Sequence, residues 1–297
     1  MIEVNNDSAT GEVERVPVPA GGELVRRHAL ATRIWHWVNA VTLLIMLGSG
    51  LTIFNAHPRL YWGEYGANAD YAWLQIGAEN GHGYIRVGDA RLVTTGLLGL
   101  WVDDAGVPQN RAFPSWATIP SDYNLADGRL WHFFFAWVLG IALVVYMAVS
   151  LINRHFWRDL RIRPAELAPS HIWHDIKQHI RLRFPTGAAA LRYNILQKLS
   201  YVGVIFALLP LIIMTGLAMS PTMDAAWPWL LDLFGGRASA RSLHFIAAFL
   251  LFAFFVVHMV MVLLAEPINE VRSMVTGWYR LPRDRVVPEP SGEGQSA

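Results

Sequence analysis

The chain has 297 residues, of which 54% are hydrophobic and 16% are charged, and its formal net charge is +1. The charged share lies below the roughly 25% that is usual in soluble domains, so the composition favours a membrane protein. No basic stripe with interleaved aromatic residues is present, so nothing in the pattern indicates nucleic-acid binding. The sequence contains no cysteine, which excludes disulfides, thiolate-bound metal centres and cysteine nucleophiles in this chain.

The first part of the chain is predicted to hold a polar leader and one membrane span. Residues 1–27 are polar, lack the apolar segment of a signal peptide, and are expected to be poorly ordered. Residues 34–54 are apolar and long enough to cross the roughly 30 Å hydrocarbon core of a bilayer. This span begins with R-I-W-H-W at 33–37, which places His36 between two tryptophans typical of a membrane interface.

Residues 55–129 are expected to form a compact insertion outside the membrane. The segment is rich in Gly, Asp, Asn and aromatic residues, and short strands are predicted around Tyr84–Val87 and Leu92–Leu100. The second span is predicted at 130–152 and again begins with a histidine, His132.

The second half of the chain is predicted to contain two further spans. Residues 196–219 form the third, and Pro210 is expected to kink it. Before it, residues 170–180 fit a helix in the interface plane, whose three histidines we interpret as a solvated face, not a metal site. The fourth span covers 241–265, and residues 266–297 form a polar tail.

Together these segments predict an all-α membrane protein, a four-helix transmembrane bundle over residues 28–265 with a periplasmic insertion between helices 1 and 2. Most of the 24 Lys and Arg residues lie in the leader, in the 153–198 segment and in the tail. By the positive-inside rule these parts face the cytoplasm and the insertion faces the periplasm. We therefore expect a multi-pass protein of a bacterial inner membrane with both termini cytoplasmic.

The fourth span carries two histidines, His244 and His258, fourteen residues apart. At about 100° and about 1.5 Å per residue, this spacing puts both side chains on one face of the helix, roughly 21 Å apart along the axis. Ionisable residues inside a span are costly and usually mark a function. One histidine near each membrane surface, on one face, is typical of a helix that supplies ligands to two stacked haems.

The predicted depth of each histidine in the membrane divides the four into two pairs. His36 and His258 lie toward the cytoplasmic side, whereas His132 and His244 lie toward the outer side, and nearly a whole bilayer separates the two levels. Two imidazoles in trans suit a six-coordinate haem iron that transfers electrons without an open position for oxygen. The sequence therefore predicts two bis-histidine haem b sites.

Residues near the span ends are candidates to hold the rest of each haem. Glycines at 48, 50 and 140 would let a flat ring approach the helix backbones. An arginine at a span end suits the carboxylates of a haem. The candidate propionate partners are Arg33, Arg129 and Arg241.

The chain resembles the dihaem cytochrome b membrane subunits of respiratory oxidoreductases, on R-I-W-H-W at 33–37, W-H at 131–132 and H-x13-H at 244–258. That family includes the hydrogenase b-type subunit, the formate dehydrogenase gamma subunit and the thiosulfate-reductase-type cytochrome b. The resemblance implies the same histidine pairing, with a quinone beside the haem on the side away from a periplasmic partner. Carried over, the quinone lies near His36, His258 and Asn39.

Three functions follow from these observations. The main prediction is an electron-transfer subunit, not catalytic alone, that connects the quinone pool to a periplasmic enzyme of molybdenum or nickel–iron type through two b haems. The alternative is a self-contained quinone-linked dihaem oxidase or reductase acting on a small periplasmic redox molecule. A membrane scaffold or transporter with incidental histidines is the third, because a lone histidine at a span end is more often an interfacial side chain.

Overall fold

The computed structural model describes residues 22–154, 161–181 and 194–281. Within them, four helical segments are long and apolar enough to cross a membrane. They agree with the four predicted spans to within a few residues and are Leu30–Asn55, Leu125–Ile152, Ile195–Ala218 and Arg237–Leu264.

Helices and short strands alternate along the described chain. The helices are α1 (Leu30–Asn55), α2 (Leu125–Ile152), α3 (Pro169–Ile180), α4 (Ile195–Gly203), α5 (Leu209–Ala218), α6 (Pro221–Ala226), α7 (Pro228–Leu233), α8 (Arg237–Leu264) and α9 (Pro267–Thr276). The strands are β1 (Leu24–Arg26), β2 (Arg59–Leu60), β3 (Leu74–Glu79), β4 (His82–Val87), β5 (Ala90–Val93), β6 (Trp101–Val102), β7 (Pro108–Gln109) and β8 (Trp278–Arg280).

Local capping sets where the second span begins. α2 starts at Leu125, earlier than the apolar run itself, because the side chain of Asn124 accepts hydrogen bonds from the backbone N–H groups of Ala126 and Asp127. Asp127 in the first turn also complements the positive end of the helix dipole. The added residues place His132 in the third turn of the helix instead of at the start of the predicted span at 130–152.

The third span is interrupted where Pro210 was expected to kink it. A π-helical segment, Val204–Leu208, joins α4 to α5, and Pro210 occupies the first turn of α5. Proline has no backbone N–H and its ring crowds the preceding turn, so the helix widens just before it.

The core of the bundle lies between α1, α2, the third span and α8. The outward-facing side chains of the spans remain exposed and apolar, as a surface in contact with lipid requires. The buried core residues are Met46, Leu139, Leu143, Tyr146, Ile205, Leu209, Ile212, Ala247 and Leu251.

The insertion between α1 and α2 contains an antiparallel sheet with strand order β2-β3-β4-β5 and a separate β6–β7 pair. The predicted strand at Leu92–Leu100 is real only over its first two residues. It ends because the N–H groups of Leu97 and Leu98 turn back to the carbonyl of Thr94 and because Gly96 and Gly99 have positive φ.

The insertion packs onto the first turns of α8, and this side of the bundle is called the insertion end. Trp73 Nε1 donates to Ser242 Oγ at 2.9 Å, and the backbone N–H of Ser239 donates to the carbonyl of Gly63 at 3.1 Å. Phe245 of α8 extends the apolar core of the insertion. The sheet is therefore tied directly to the helix that carries two of the four membrane histidines.

The opposite side, here called the terminal end, is where the predicted leader and tail meet. β1 pairs with β8, joining Leu24 to Arg280 and Arg26 to Trp278. The sequence predicts a polar leader up to residue 27 and a polar tail from residue 266. A strand pairing that joins the two ends of the chain leaves no local pattern in either segment. Residues 1–21 and 282–297 lie outside the described residues.

Candidate functional site

The four membrane histidines form two pairs, as depth predicts. At the terminal end, the ring centroids of His36 on α1 and His258 on α8 are 6.2 Å apart. At the insertion end, those of His132 on α2 and His244 on α8 are 6.1 Å apart. We call these the terminal-side pair and the insertion-side pair.

The spacing within each pair suits two ligands of one metal ion. A metal–imidazole bond is about 2 Å long, so two imidazoles that shared one metal ion from opposite sides would have ring centroids about 6 Å apart. Direct packing of two rings covers a broad range of distances instead. The structure therefore contains two helix-to-helix imidazole pairs that fit a bis-histidine haem iron.

The insertion-side rings are oriented by oxygen atoms of neighbouring helices. His132 Nδ1 lies 3.2 Å from the carbonyl oxygen of Met46 and 3.2 Å from Ser49 Oγ, both on α1. His244 Nδ1 lies 3.0 Å from Thr215 Oγ1 on α5. A carbonyl can only accept, so Nδ1 of His132 carries the proton and its Nε2 is left with a lone pair for a metal.

Two glycines make room for these rings. A Cβ atom on Gly50 would lie 3.4 Å from Cε1 of His132, and one on Gly216 would lie 3.4 Å from Cε1 of His244. Gly48, which the sequence placed beside a flat ring, instead abuts Ile119, and Gly140 has nothing within 4 Å. A methyl group would fit at Gly50 and Gly216 at ordinary contact distance, whereas a larger side chain there would meet the imidazole rings.

The terminal-side pair has a different environment. His36 Nδ1 is buried and makes no hydrogen bond, and the ring meets Trp37 edge-on. Asn39 is 6% exposed, and its Oδ1 is also buried without a partner, although its Nδ2 donates to the carbonyl of Trp35. Further buried, unpartnered atoms at this end are Arg33 Nε, Trp35 Nε1 and Arg272 Nε.

Such a concentration of unpartnered polar atoms fits a polar ligand. Each buried donor or acceptor left without a partner costs about 1–3 kcal/mol. The carboxylates of a haem and the carbonyl oxygens of a quinone could accept hydrogen bonds from these nitrogen donors. The terminal end therefore offers several buried polar atoms to a ligand that carries hydrogen-bonding groups.

The three candidate propionate arginines lie in different settings. Arg33 donates to the carbonyl of Val275, so it also holds α9 against α1. Arg241 lies one turn before His244 and donates to the carbonyl of His57 at 2.6 Å. Arg129 lies one turn before His132 on α2, and its exposed side chain makes no hydrogen bond or ion pair with the described residues.

Positive charge at the insertion end comes from arginine. Burial, followed by the charges of Arg241 and Arg59, lowers the pKa of His57, which favours its neutral form. Nearby, the hydroxyl of Tyr61 is buried without a hydrogen bond. Arg241 thus acts on the loop that holds His57, and Tyr61 is a buried polar group at the same end of the bundle.

Ser49 and Thr215 were also missed. Both begin a similar tripeptide, Ser-Gly-Leu at 49–51 in the first span and Thr-Gly-Leu at 215–217 in the third. The following span in each case begins with a His-Phe pair, at 132–133 and 244–245. Comparing the two halves of the chain for this repeat would have selected both hydroxyl residues.

A conventional metal cluster is not found in the described part of the chain. No group of three or more His, Cys, Asp or Glu side chains there could hold a metal ion. His171 and His174 of α3 are exposed, and the side chain of His179 lies outside the described residues.

Comparison with known proteins agrees with this geometry. The family described as prokaryotic cytochrome b561 matches residues 27–277, which include all four spans and both pairs. The chain is 29% identical over 150 residues to a putative protein-methionine-sulfoxide reductase subunit, YedZ1, of Azospira oryzae, covering 49% of this chain and 72% of that protein. No solved structure matches.

Proposed function

Since the chain belongs to the prokaryotic cytochrome b561 family, we propose that it is a membrane electron-transfer subunit that holds two b haems, one between the histidines of each pair. The observation that carries this proposal is the presence of two cross-helix imidazole pairs, at 6.2 and 6.1 Å, at opposite ends of one apolar bundle. When bound, a haem would supply one-electron chemistry, and the two imidazoles of each pair would hold its iron.

The protein's own residues hold and insulate each site. His132 and His244 approach from α2 and α8, and His36 and His258 from α1 and α8, so α8 contributes one ligand to each site. The apolar core between the pairs excludes water, and Arg33 and Arg241 are the proposed partners of the haem propionates at the two ends. Arg129, exposed one turn before His132, is a further proposed propionate partner at the insertion end.

A quinone is the proposed exchangeable substrate at the terminal end. Asn39 supports this assignment because its buried Oδ1 can accept a hydrogen bond from a quinol hydroxyl close to the terminal-side pair. The spans are exposed to lipid along their outer faces, which gives a lipid-soluble molecule lateral access. Replacing Asn39 with Leu should slow reduction of the haems by added quinol at least several-fold, whereas the matched variant Thr42→Val, also buried on α1, should not.

The insertion is the proposed docking surface for a partner enzyme. Trp62, Trp116 and Trp229 are 54%, 79% and 59% exposed at the insertion end, and exposed aromatics rimmed by polar groups are typical of interfaces. The relative from Azospira oryzae is named as a subunit of a putative protein-methionine-sulfoxide reductase, which supports a role as one subunit of an oxidoreductase. A partner of molybdenum or nickel–iron type is part of this proposal.

The proposed topology rests on the distribution of basic residues along the chain. Arg154, Arg161, Arg163, Lys177 and Arg181 lie in the described parts of the terminal-end connection between α2 and α4. The positive-inside rule then places the terminal end in the cytoplasm of a bacterial inner membrane and the insertion in the periplasm.

Haem content tests the proposed function directly. Protein purified in detergent should show a low-spin spectrum and, in a pyridine haemochrome assay, about two non-covalent haem b per chain. A content of one haem or none contradicts the two-site proposal. Haem-loaded protein that added quinol does not reduce contradicts the quinone link but leaves the two haem sites standing.

A further inference from the structure

We propose that Ser49 and Thr215 are matched positioning residues that hold the Nδ1 protons of His132 and His244 and lower the reduction potential of the insertion-side haem. The inference rests on the proposed function, because it requires a haem between these two histidines. In this proposal each of the two histidines has one hydroxyl group that accepts a hydrogen bond from its Nδ1.

Ser49 is arranged as an acceptor toward His132. Its Oγ lies 2.7 Å from the carbonyl oxygen of Ile45, one turn earlier on α1, and donates its proton there. A hydroxyl whose proton is engaged offers only lone pairs to a third group, so Oγ accepts from Nδ1 of His132 at 3.2 Å. The carbonyl oxygen of Met46, at 3.2 Å, accepts from the same nitrogen.

Thr215 repeats this arrangement on α5. Its Oγ1 lies 2.7 Å from the carbonyl oxygen of Leu211 and 3.0 Å from Nδ1 of His244. Each hydroxyl also lies near a second carbonyl oxygen, that of Ile212 at 3.1 Å from Thr215 Oγ1 and that of Met46 at 3.3 Å from Ser49 Oγ. Two segments far apart in the chain therefore build the same set of contacts around two different rings.

Burial makes these contacts effective. Ser49 and Thr215 are both 0% exposed, so no water competes for the Nδ1 protons. An outer acceptor at Nδ1 fixes the tautomer and increases the basicity of the nitrogen that binds the metal. A more basic ligand favours the ferric over the ferrous state, which lowers the reduction potential.

The terminal-side pair provides an internal contrast. His36 Nδ1 is buried without a hydrogen-bond partner, and His258 stacks on Phe254 with centroids 5.9 Å apart. Removal of the two hydroxyls should therefore change one haem and leave the other unchanged. A general loosening of the bundle would affect both.

Redox titration of haem-loaded protein tests the proposal. The variants are Ser49→Ala, the isosteric Thr215→Val, the double variant, and Thr215→Ser, which keeps the hydroxyl. Thr52→Val is the matched control, because Thr52 is equally buried on α1 and bonds only backbone carbonyls, those of Gly48 and Ile119. Single-haem variants at His258 and His132 assign each potential to its site.

We expect the hydroxyl-deleting variants to raise the potential of the insertion-side haem, the double variant by about tenfold in the ferrous-to-ferric ratio, or about 59 mV. Thr215→Ser and Thr52→Val should titrate like the unmodified protein, and the low-spin electron paramagnetic resonance signal of the insertion-side site should change only with the hydroxyl. Two haems with unchanged potentials in the double variant overturn this inference alone. An unmodified protein with no insertion-side haem overturns the proposed function as well.

Discussion

The two histidine pairs have nearly the same spacing and opposite surroundings. In the insertion-side pair, hydroxyl and carbonyl oxygens of the adjacent helices occupy the Nδ1 atoms of both rings. In the terminal-side pair, His36 Nδ1 has no partner, and several other buried polar atoms nearby lack one. Two pairs with similar ring spacing thus differ in their surroundings, and in the proposed function this difference leaves only the terminal end open to a further polar molecule.

The covering elements differ in the same way. The insertion end is closed by a sheet whose core joins α8 through Phe245. The terminal end is closed by α9, which is attached to α1 through the Trp37 Nε1 bond to the carbonyl of Met274 at 3.1 Å and through Arg33. A cover held by a few polar contacts opens more readily than one with a continuous apolar core, because local opening costs less where less apolar surface is exposed.

Histidine replacement should give the largest effect and separate the two pairs most clearly. His132→Ala and His244→Ala should each remove the insertion-side haem, and His36→Ala and His258→Ala the terminal-side haem. Each variant should therefore keep about half of the haem, because a site that loses one of its two iron–imidazole bonds binds haem more weakly. Haem assays with redox titration decide this, and loss of the same centre in His36→Ala and His132→Ala would refute the pairing.

Filling the space beside one ring should affect only the insertion end. Gly50→Leu should displace the imidazole of His132 and reduce occupancy of the insertion-side haem by more than half, since a Cβ already lies 3.4 Å from Cε1. Gly50→Ala is the matched control, because it adds only that Cβ at an ordinary contact distance. Equal loss from both haems in Gly50→Leu would mean that the bundle as a whole had loosened.

Weakening the cover should affect only the terminal end. Arg27 pairs with Glu270 at 3.2 Å and lies over the ring of Tyr279 at 4.4 Å. Because these side chains are only 13% and 24% exposed, Arg27→Met should cost about 1–2 kcal/mol locally, between the values for surface and buried pairs. Hydrogen exchange at 267–280 should then accelerate about tenfold or more.

A matched control for that variant exists in the insertion. Arg91 also pairs with a glutamate, Glu79 at 2.6 Å, and lies over a tyrosine ring, Tyr84 at 4.0 Å, but its pair is 41% and 55% exposed. Arg91→Met should change exchange in the sheet by less than threefold, because exposed pairs contribute about 0–1 kcal/mol. Similar acceleration in both variants would show that burial does not distinguish the two ends.

The smallest effect on stability is expected from the ion pair between Glu166 and Lys198, which lies at the terminal end and contacts neither histidine pair. The backbone N–H of Arg163 and then the Lys198 ammonium lower the pKa of Glu166 below its ordinary 4.5. The contribution of the Glu166 carboxylate to the unfolding free energy is therefore present above pH 4.5 and is lost as the pH falls through the lowered pKa. Glu166→Gln should reduce the unfolding free energy by at most about 0.5 kcal/mol at pH 7 and by less in acid, with both haems retained. Thermal unfolding followed at pH 7 and pH 4 measures the difference, and haem loss would show that remote changes reach the pairs.

Much of the site could be predicted because it depends on one-dimensional features. The length of each span, its helical period and the depth of each histidine can be read from single segments of the sequence. These features were enough to select His36, His132, His244 and His258 and to group them in two pairs. The same information could not separate Arg241, which reaches the carbonyl of His57, from exposed Arg129. Both are arginines at span ends, and only the packing of the insertion distinguishes them.

The sequence by itself determined the four spans, the two levels of histidine and the family to which the chain is similar, because apolar length and period act within single segments. Only the tertiary structure decided that β1 pairs with β8, that the Leu92–Leu100 strand stops after two residues, and that Ser49 and Thr215 accept from the two insertion-side rings. Each of these depends on backbone or hydroxyl groups from segments distant in the chain. Hydrogen bonds of this kind form wherever packing brings a donor to an acceptor, and they leave no periodic signal in either segment.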